Sequence, residues 1–286
     1  MPQETVRTLT VEGLSFPYRM LRQGTSRTEP LVALGGVFQG MYDWPQMEDA
    51  LTGLTSLVTA NLPDSGDADP LPAGRGIDTL CAALEAVIDG LQTPRVNLYG
   101  YSYGASIAFR YAQRHPERCA RLLLGGVPSH ITEAQFDRSR ASHRLLSAGD
   151  VDGFVNTMAA EFFCLDENRY VHRRDLALSY FRRTLLRATD RHDIDDALTR
   201  AFGTRTELVG GLTGVPTLVF CGEHDTVTTP EQQRVFASTI EGSRFVTIPD
   251  ADHMLLMERP ETVIALVTSF ITDSRLQPAA STTHER

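Results

Sequence analysis

Apolar residues in this chain gather in short blocks separated by longer mixed stretches. LVALGG (31–36), SLVTANL (56–62), RVNLYG (95–100), RLLLGG (121–126), TLVFCG (217–222) and RFVTIPD (244–250) are such blocks. Most lack clean alternation, as expected for strands covered on both faces. Helix-like patterns lie between them, near 44–54, 76–91, 103–114, 229–239 and 260–273. Strand-then-helix repetition predicts an α/β fold: a mostly parallel central sheet flanked by helices, with right-handed crossovers. TVRTLTVEGLSFPYRML, near the N-terminus, alternates more and turns at Glu12-Gly13. It predicts an antiparallel hairpin on one sheet edge.

The rhythm breaks between about 129 and 212, where the pattern is helical and rich in arginine and aromatics. That stretch follows the sixth strand-like run and reads as a helical lid over the sheet's carboxyl edge. The expected organisation is a core of 1–128 with 213–273, a lid of 129–212 and a disordered polar tail, 274–286. A chain of 286 residues is long enough to bury a sizeable core without staples.

Composition narrows the function classes. Four scattered cysteines (Cys81, Cys119, Cys164, Cys221) form no C-x-x-C pair, which argues against zinc and a disulfide framework and fits a reducing compartment. The N-terminus lacks a signal-peptide pattern, and no apolar run approaches the ~20 residues of a membrane helix. These features predict a soluble, cytoplasmic protein without a membrane partner. A net charge of −9 speaks against nucleic acid as a partner. The chain has no lysine, so a P-loop lysine and a Schiff-base lysine are both impossible. No metal or cofactor is expected.

Candidate chemistry begins at Gly100-Tyr101-Ser102-Tyr103-Gly104, directly behind the run RVNLYG and before the helical YGASIAFRYAQRH. Gly-x-Ser-x-Gly in a strand–turn–helix context is a nucleophile elbow: strained backbone lifts the serine oxygen above the sheet. Neighbouring backbone leaves no room for a Cβ two residues before or after, hence Gly100 and Gly104. A serine hydroxyl needs a base, and the base needs a carboxylate to orient it. Among eight histidines, His253 lies in a loop after the last strand-like run, at the carboxyl edge where sites of open α/β sheets form. Asp225, a short turn after TLVFCG, is the favoured carboxylate, with Glu223 the alternative in the same turn. Asp250 and Asp252 sit too close to His253 in sequence to reach its far ring nitrogen. Two backbone N–H donors should stabilise an oxyanion. Tyr103, after the nucleophile, is one, and Val37, after Gly35-Gly36, is the choice for the other.

Taken together, these residues resemble the α/β-hydrolase superfamily over residues 5 to 273. GYSYGAS, VFCGEHD and DADHMLLMERPE match its nucleophile, acid and base motifs in order, and Trp44 sits where many members open their first helix. The chain departs from the family at Gly35-Gly36, where His-Gly is usual, and in NLPDSGDA, where Asn61, Asp64 and Ala68 replace the common residues. GGVFQ together with LPDSGDADPLP is similar to stand-alone hydrolases near bacterial polyketide and other secondary-metabolite clusters.

The resemblance implies the α/β-hydrolase fold and a serine hydrolase: attack by Ser102, an acyl-enzyme, then hydrolysis by water activated by His253. A serine nucleophile disfavours epoxide and haloalkane chemistry, whose family members use aspartate there. The expected substrate is an ester or thioester of a small or medium acyl group, either free or linked to CoA or a carrier. Three other readings stay open: acyl elimination, cyclisation or transfer; carbon–carbon bond hydrolysis; and a ligand-binding protein on the same scaffold. Phe162, Phe163, Tyr180 and Phe181 are candidate pocket walls, although aromatics in helices more often fill core. Arg169, Arg173, Arg174, Arg182, Arg183, Arg187 and Arg191 make 169–191 locally basic, a match for an anionic group or simply a solvated face paired with acids. With His253 as base, activity should rise with pH through roughly 6–7.

Overall fold

The computed structural model describes residues 2–189, 208, 210–273 and 275. Along the first half run β1 (Gln3–Val11), β2 (Leu14–Arg22), β3 (Leu31–Leu34), α1 (Pro45–Leu51), β4 (Leu57–Ala60), α2 (Ile77–Gly90) and β5 (Val96–Tyr101). They are followed by α3 (Tyr103–Arg114), β6 (Cys119–Gly125), α4 (Glu133–Ser147), α5 (Val151–Phe162) and α6 (Arg174–Thr189). β7 (Thr217–Gly222), α7 (Pro230–Ser238), β8 (Arg244–Ile248), α8 (Leu255–Glu258) and α9 (Pro260–Thr272) complete the order.

The eight strands form one sheet in the order β1-β2-β4-β3-β5-β6-β7-β8. From β4 to β8 every neighbouring pair is parallel. The β1–β2 and β2–β4 pairs are antiparallel, which puts the N-terminal hairpin on the edge, as its alternation predicts. Glu12 (φ 52°) and Gly13 (φ 82°) make its two-residue turn, and positive φ at both central positions matches the twist of the flanking strands.

All residues of β3, β5, β6 and β7 are buried, because helices cover both faces. Side chains alternate between the two sides with period two. Val32, Leu34, Leu98, Leu122, Leu124 and Val219 join a core built with α2, α3 and α7. Leu31, Ala33, Tyr99, Leu123, Leu218 and Phe220 join a second core with α1 and α9. The four cysteines are free and buried, and burial pushes the thiols of Cys81 and Cys119 up to about 11 and about 12.

α4, α5 and α6 lie between β6 and β7, with no strand among the described residues of that stretch. Thr132 caps α4 in a reciprocal box with Gln135, and Asp150 caps α5. The three helices share a small core of their own, including Phe154, Met158, Phe162, Phe163, Phe181 and Leu185. Phe38, Val227, Met254 and Met257 pack onto it from the loops at the carboxyl edge of the sheet. The insertion thus sits over that edge. The remainder of the expected lid, 190–207 with Val209, lies outside the described residues, as does the expected tail apart from Arg275.

Several strands stop short of their apolar runs, among them β3, which ends at Leu34, and β8, which ends at Ile248. The leftover residues, Gly35-Gly36 and Pro249-Asp250, leave the sheet and become turns at the carboxyl edge. Among the described residues, no helix is long and apolar enough to cross a membrane.

Candidate active site

β5 runs straight into α3, and Ser102 is the single residue between them. Its backbone holds φ 50° and ψ −119°, a conformation rare for a residue with a side chain and costly unless its surroundings enforce it. Three main-chain bonds do so. Ser102 N–H donates to Gly125 O at 2.8 Å, Gly104 N–H to Gly35 O at 3.0 Å, and Ala105 N–H to Ser102 O at 2.9 Å. A Cβ at Gly104 would lie 2.4 Å from Leu34 O, and one at Gly100 would lie 2.6 Å from Gly104 O. Only glycine fits at either position.

His253 and Asp225 come from the turns that follow β8 and β7. His253 Nε2 lies 3.1 Å from Ser102 Oγ, and His253 Nδ1 lies 2.9 Å from Asp225 Oδ2. With its proton on Nδ1, the imidazole donates to the carboxylate and offers Nε2 to accept the serine hydroxyl. Asp225 is itself fixed: Oδ1 accepts the Val227 and Thr228 N–H groups at 2.9 and 2.7 Å, and Oδ2 accepts the Thr228 hydroxyl at 2.9 Å. Both His253 and Asp225 are buried. Burial alone would lower the His253 pKa, but the Asp225 carboxylate outweighs it by charge and hydrogen bond and raises the pKa overall. Glu223, the alternative acid, points elsewhere and accepts the Asp250 N–H.

Of the two expected oxyanion donors, Tyr103 follows the serine directly and Val37 lines its cleft. Tyr103 is the first residue of α3, where a helix leaves its backbone N–H without an intrahelical acceptor. Val37 lines the same cleft as Ser102, and a Cβ at neighbouring Gly36 would lie 3.6 Å from Ser102 Cβ. That cleft, open to solvent on one side, has a volume of about 90 Å³, with Tyr101, Phe38, Met254 and Leu256 adding to its apolar walls.

Of the four candidate wall aromatics, Phe162, Tyr180 and Phe181 line the cleft. Phe163 does not: it is buried in the insertion's own core, edge-on to Phe181. Phe162 is the last residue of α5, whereas Phe163 already follows it in extended backbone at φ −126° and ψ 137°, so the two rings leave the chain in different directions. Phe162 instead meets the His253 ring edge-on, with centroids 5.7 Å apart. The Tyr180 hydroxyl donates to Asp43 Oδ1 at 3.4 Å, joining α6 to the loop after β3. Beyond that contact lies a larger, more polar hollow of about 320 Å³, lined in part by Asp43, Asn61, Asp64, Asp67 and Arg187.

Several residues of the site lie within the quoted motifs without having been singled out there. Tyr101 packs beside the His253 ring, and its hydroxyl accepts the Leu255 N–H at 3.4 Å. Behind the imidazole lie two further buried carboxyl groups, Asp252 and Glu258, which burial pushes up to about 6 and about 8. Much of the basic stretch is occupied: Arg169 pairs with Asp166, Arg173 with Glu261, and Arg174 donates to main-chain carbonyls. Arg191 lies outside the described residues. Among the described residues, no three His, Cys, Asp or Glu side chains gather into a set able to hold a metal ion.

Known proteins share this architecture. An alpha/beta hydrolase from a Medee basin deep-sea metagenome library superposes with a TM-score of 0.80 at 19% identity, covering 92% of this chain and 96% of its own. The enol-lactonase from Burkholderia xenovorans LB400 gives 0.75 at 21% identity, covering 93% and 100%. In sequence, a pimeloyl-[acyl-carrier protein] methyl ester esterase of Neisseria meningitidis serogroup C is 25% identical over 74% of this chain and 81% of its own. Residues 29–260 match the family model of the alpha/beta hydrolase fold, and the chain belongs to that family.

Proposed function

We propose that this chain is a serine hydrolase that cleaves an ester or thioester of a small acyl group through an acyl-enzyme. The observation that carries the reading is the unbroken relay Ser102–His253–Asp225, with its serine on a strained elbow. Ser102 Oγ attacks the substrate carbonyl while His253 Nε2 takes the hydroxyl proton. The developing oxyanion is met by the Val37 and Tyr103 N–H groups, each worth roughly 3 kcal/mol in such sites. Collapse expels the alcohol or thiol, which receives the proton from His253. Water then attacks the acyl-enzyme and gives its proton to His253, which returns it to Ser102 Oγ as the acid leaves. Asp225 holds the imidazole in the required tautomer throughout.

The cleft supports the substrate size. Its 90 Å³ is smaller than the roughly 150 Å³ engineered cavity that accepts benzene, so a short, apolar acyl or alkyl group fits beside Ser102. The adjoining polar hollow suits the remainder of the ester, and the helical insertion serves as the lid that closes both. The Neisseria relative, named as a methyl ester esterase, supports the same class of bond.

Intact mass after treatment with a fluorophosphonate tests this directly. Wild type should gain one adduct that Ser102→Ala and His253→Ala lack, and p-nitrophenyl acetate or butyrate should be hydrolysed faster than the octanoate. A folded wild type that takes no adduct would overturn the proposal.

A further inference from the structure

The loop that carries His253 is also where the insertion rests on the sheet. Its main chain accepts the His172 N–H at Asp250 O, 2.9 Å away. Asp252 adds a second tie with its side chain. Oδ1 accepts the N–H of His253 at 2.8 Å, and Oδ2 accepts the N–H of Cys164, two residues beyond the end of α5. The N–H of Asp252 itself donates to Glu258 Oε2 at 2.6 Å, which fastens this residue to α8. One fully buried carboxyl group is therefore shared between the backbone of the histidine and the backbone of the insertion. Two residues before Cys164, Phe162 lies edge-on against the imidazole.

We propose that Asp252 is a positioning residue that makes the seating of His253 depend on the docking of the helical insertion. The inference rests on the hydrolase reading above. A buried carboxylate is tolerated when its oxygens are matched by donors, and it is strongly unfavourable when one is lost. Undocking the insertion strips Oδ2 of its N–H donor and removes Phe162 from the ring in the same motion. Asp252 then turns toward water and releases the His253 N–H, so docked insertion and aligned imidazole form one two-state element. The cleft opens to admit substrate with the base misaligned, and proton transfer waits for the insertion to return.

Asp252→Asn is the informative substitution, because an amide offers one acceptor oxygen where two N–H donors need matching. The turnover number per fluorophosphonate-titrated serine should fall about 10- to 100-fold, the scale of a small misplacement of a catalytic group. KM should change much less, and amide hydrogen exchange across 151–172 should speed up. A merely structural role would lower the titrated fraction and leave turnover per titrated site unchanged, which would overturn the proposal. Wild type supplies a second reading should the variant fold poorly. There the Cys164 and His253 amides should exchange together, because one opening exposes both. Fast exchange at Cys164 with lasting protection at His253 would equally overturn it. An absent adduct on wild type would sink the hydrolase reading instead, and exchange would still judge the tie.

Discussion

The elbow and the insertion solve opposite problems with opposite amounts of contact. α3, which starts at the serine, buries eight of its residues, from Gly104 to Ala112, against the sheet. α4 buries only Ser139 and Ser142, and α6 only Ala177, Phe181 and Leu185. The serine turn is crowded by backbone on every side, so it has one conformation. The walls of the cleft stand on helices that lean on the sheet through a few apolar side chains and loop contacts. The proposed chemistry thus rests on the crowded part of the molecule, and the proposed shape selection on the part held by fewer buried contacts.

The strongest way to break this comparison is Ser102→Ala. It should leave the unfolding midpoint almost unchanged while cutting turnover by ~10³-fold or more. Residual turnover near the wild-type rate would show that the rigid region does not carry the chemistry. Gly104→Ala should cost stability as well as activity, because its new methyl group meets Leu34 O and the backbone must shift. We expect a loss of about 1–3 kcal/mol in urea-monitored stability, with activity falling as the elbow relaxes. A stability equal to wild type would mean the elbow is softer than its contacts imply.

Phe162→Leu probes the insertion. Swapping one apolar side chain for a smaller one should cost less than ~1.5 kcal/mol of stability. Relative rates should still shift several-fold toward longer acyl esters, measured as ratios of kcat/KM across chain lengths. The pH profile of kcat/KM returns to the sheet side. The base works neutral, and Asp225 raises the His253 pKa, so the rise should centre above the ordinary histidine value of about 6.5. Asp225→Asn should move the centre down, whereas a midpoint below 6.5 in wild type would contradict the pairing.

The smallest effect concerns Glu258, whose carboxyl group holds its proton up to about 8 when folded against an ordinary carboxylate value of 4.5. Across that window the folded chain binds more protons than the unfolded one, so this group's contribution to stability is lost as pH rises. Glu258→Gln removes the slope. Its melting temperature relative to wild type should increase from pH 5 to pH 8, and a constant difference would count against the protonated carboxyl.

What could be read from sequence, and what could not, divides along the same line. Unbroken apolar runs betray strands covered on both faces, and Glu12-Gly13 betrays its turn because few residue pairs tolerate two positive φ angles. Ser102 is legible because its glycines are forced by backbone at fixed offsets, and Asp225 because a strand end delivers it. The end of α5 is not legible. Phe162 and Phe163 are chemically alike, and which one meets the imidazole depends on the helix stopping at Phe162 and the chain turning extended at Phe163. Asp252 is too near His253 in sequence to suggest any tie to its ring, and its partners, a backbone amide next door and another in the insertion, leave no pattern along the chain. α8 is a single turn, too short for periodicity to register.

Burial of the four thiols, together with the lack of lysine, has a chemical consequence for a protein proposed to handle activated acyl groups. Acyl thioesters and reactive esters stray onto exposed amines and thiolates. This surface offers no lysine amine, and its four thiols are buried out of reach. Background labelling at lysine and cysteine should therefore be small in any covalent screen of the folded chain, which makes an adduct at Ser102 easier to recognise.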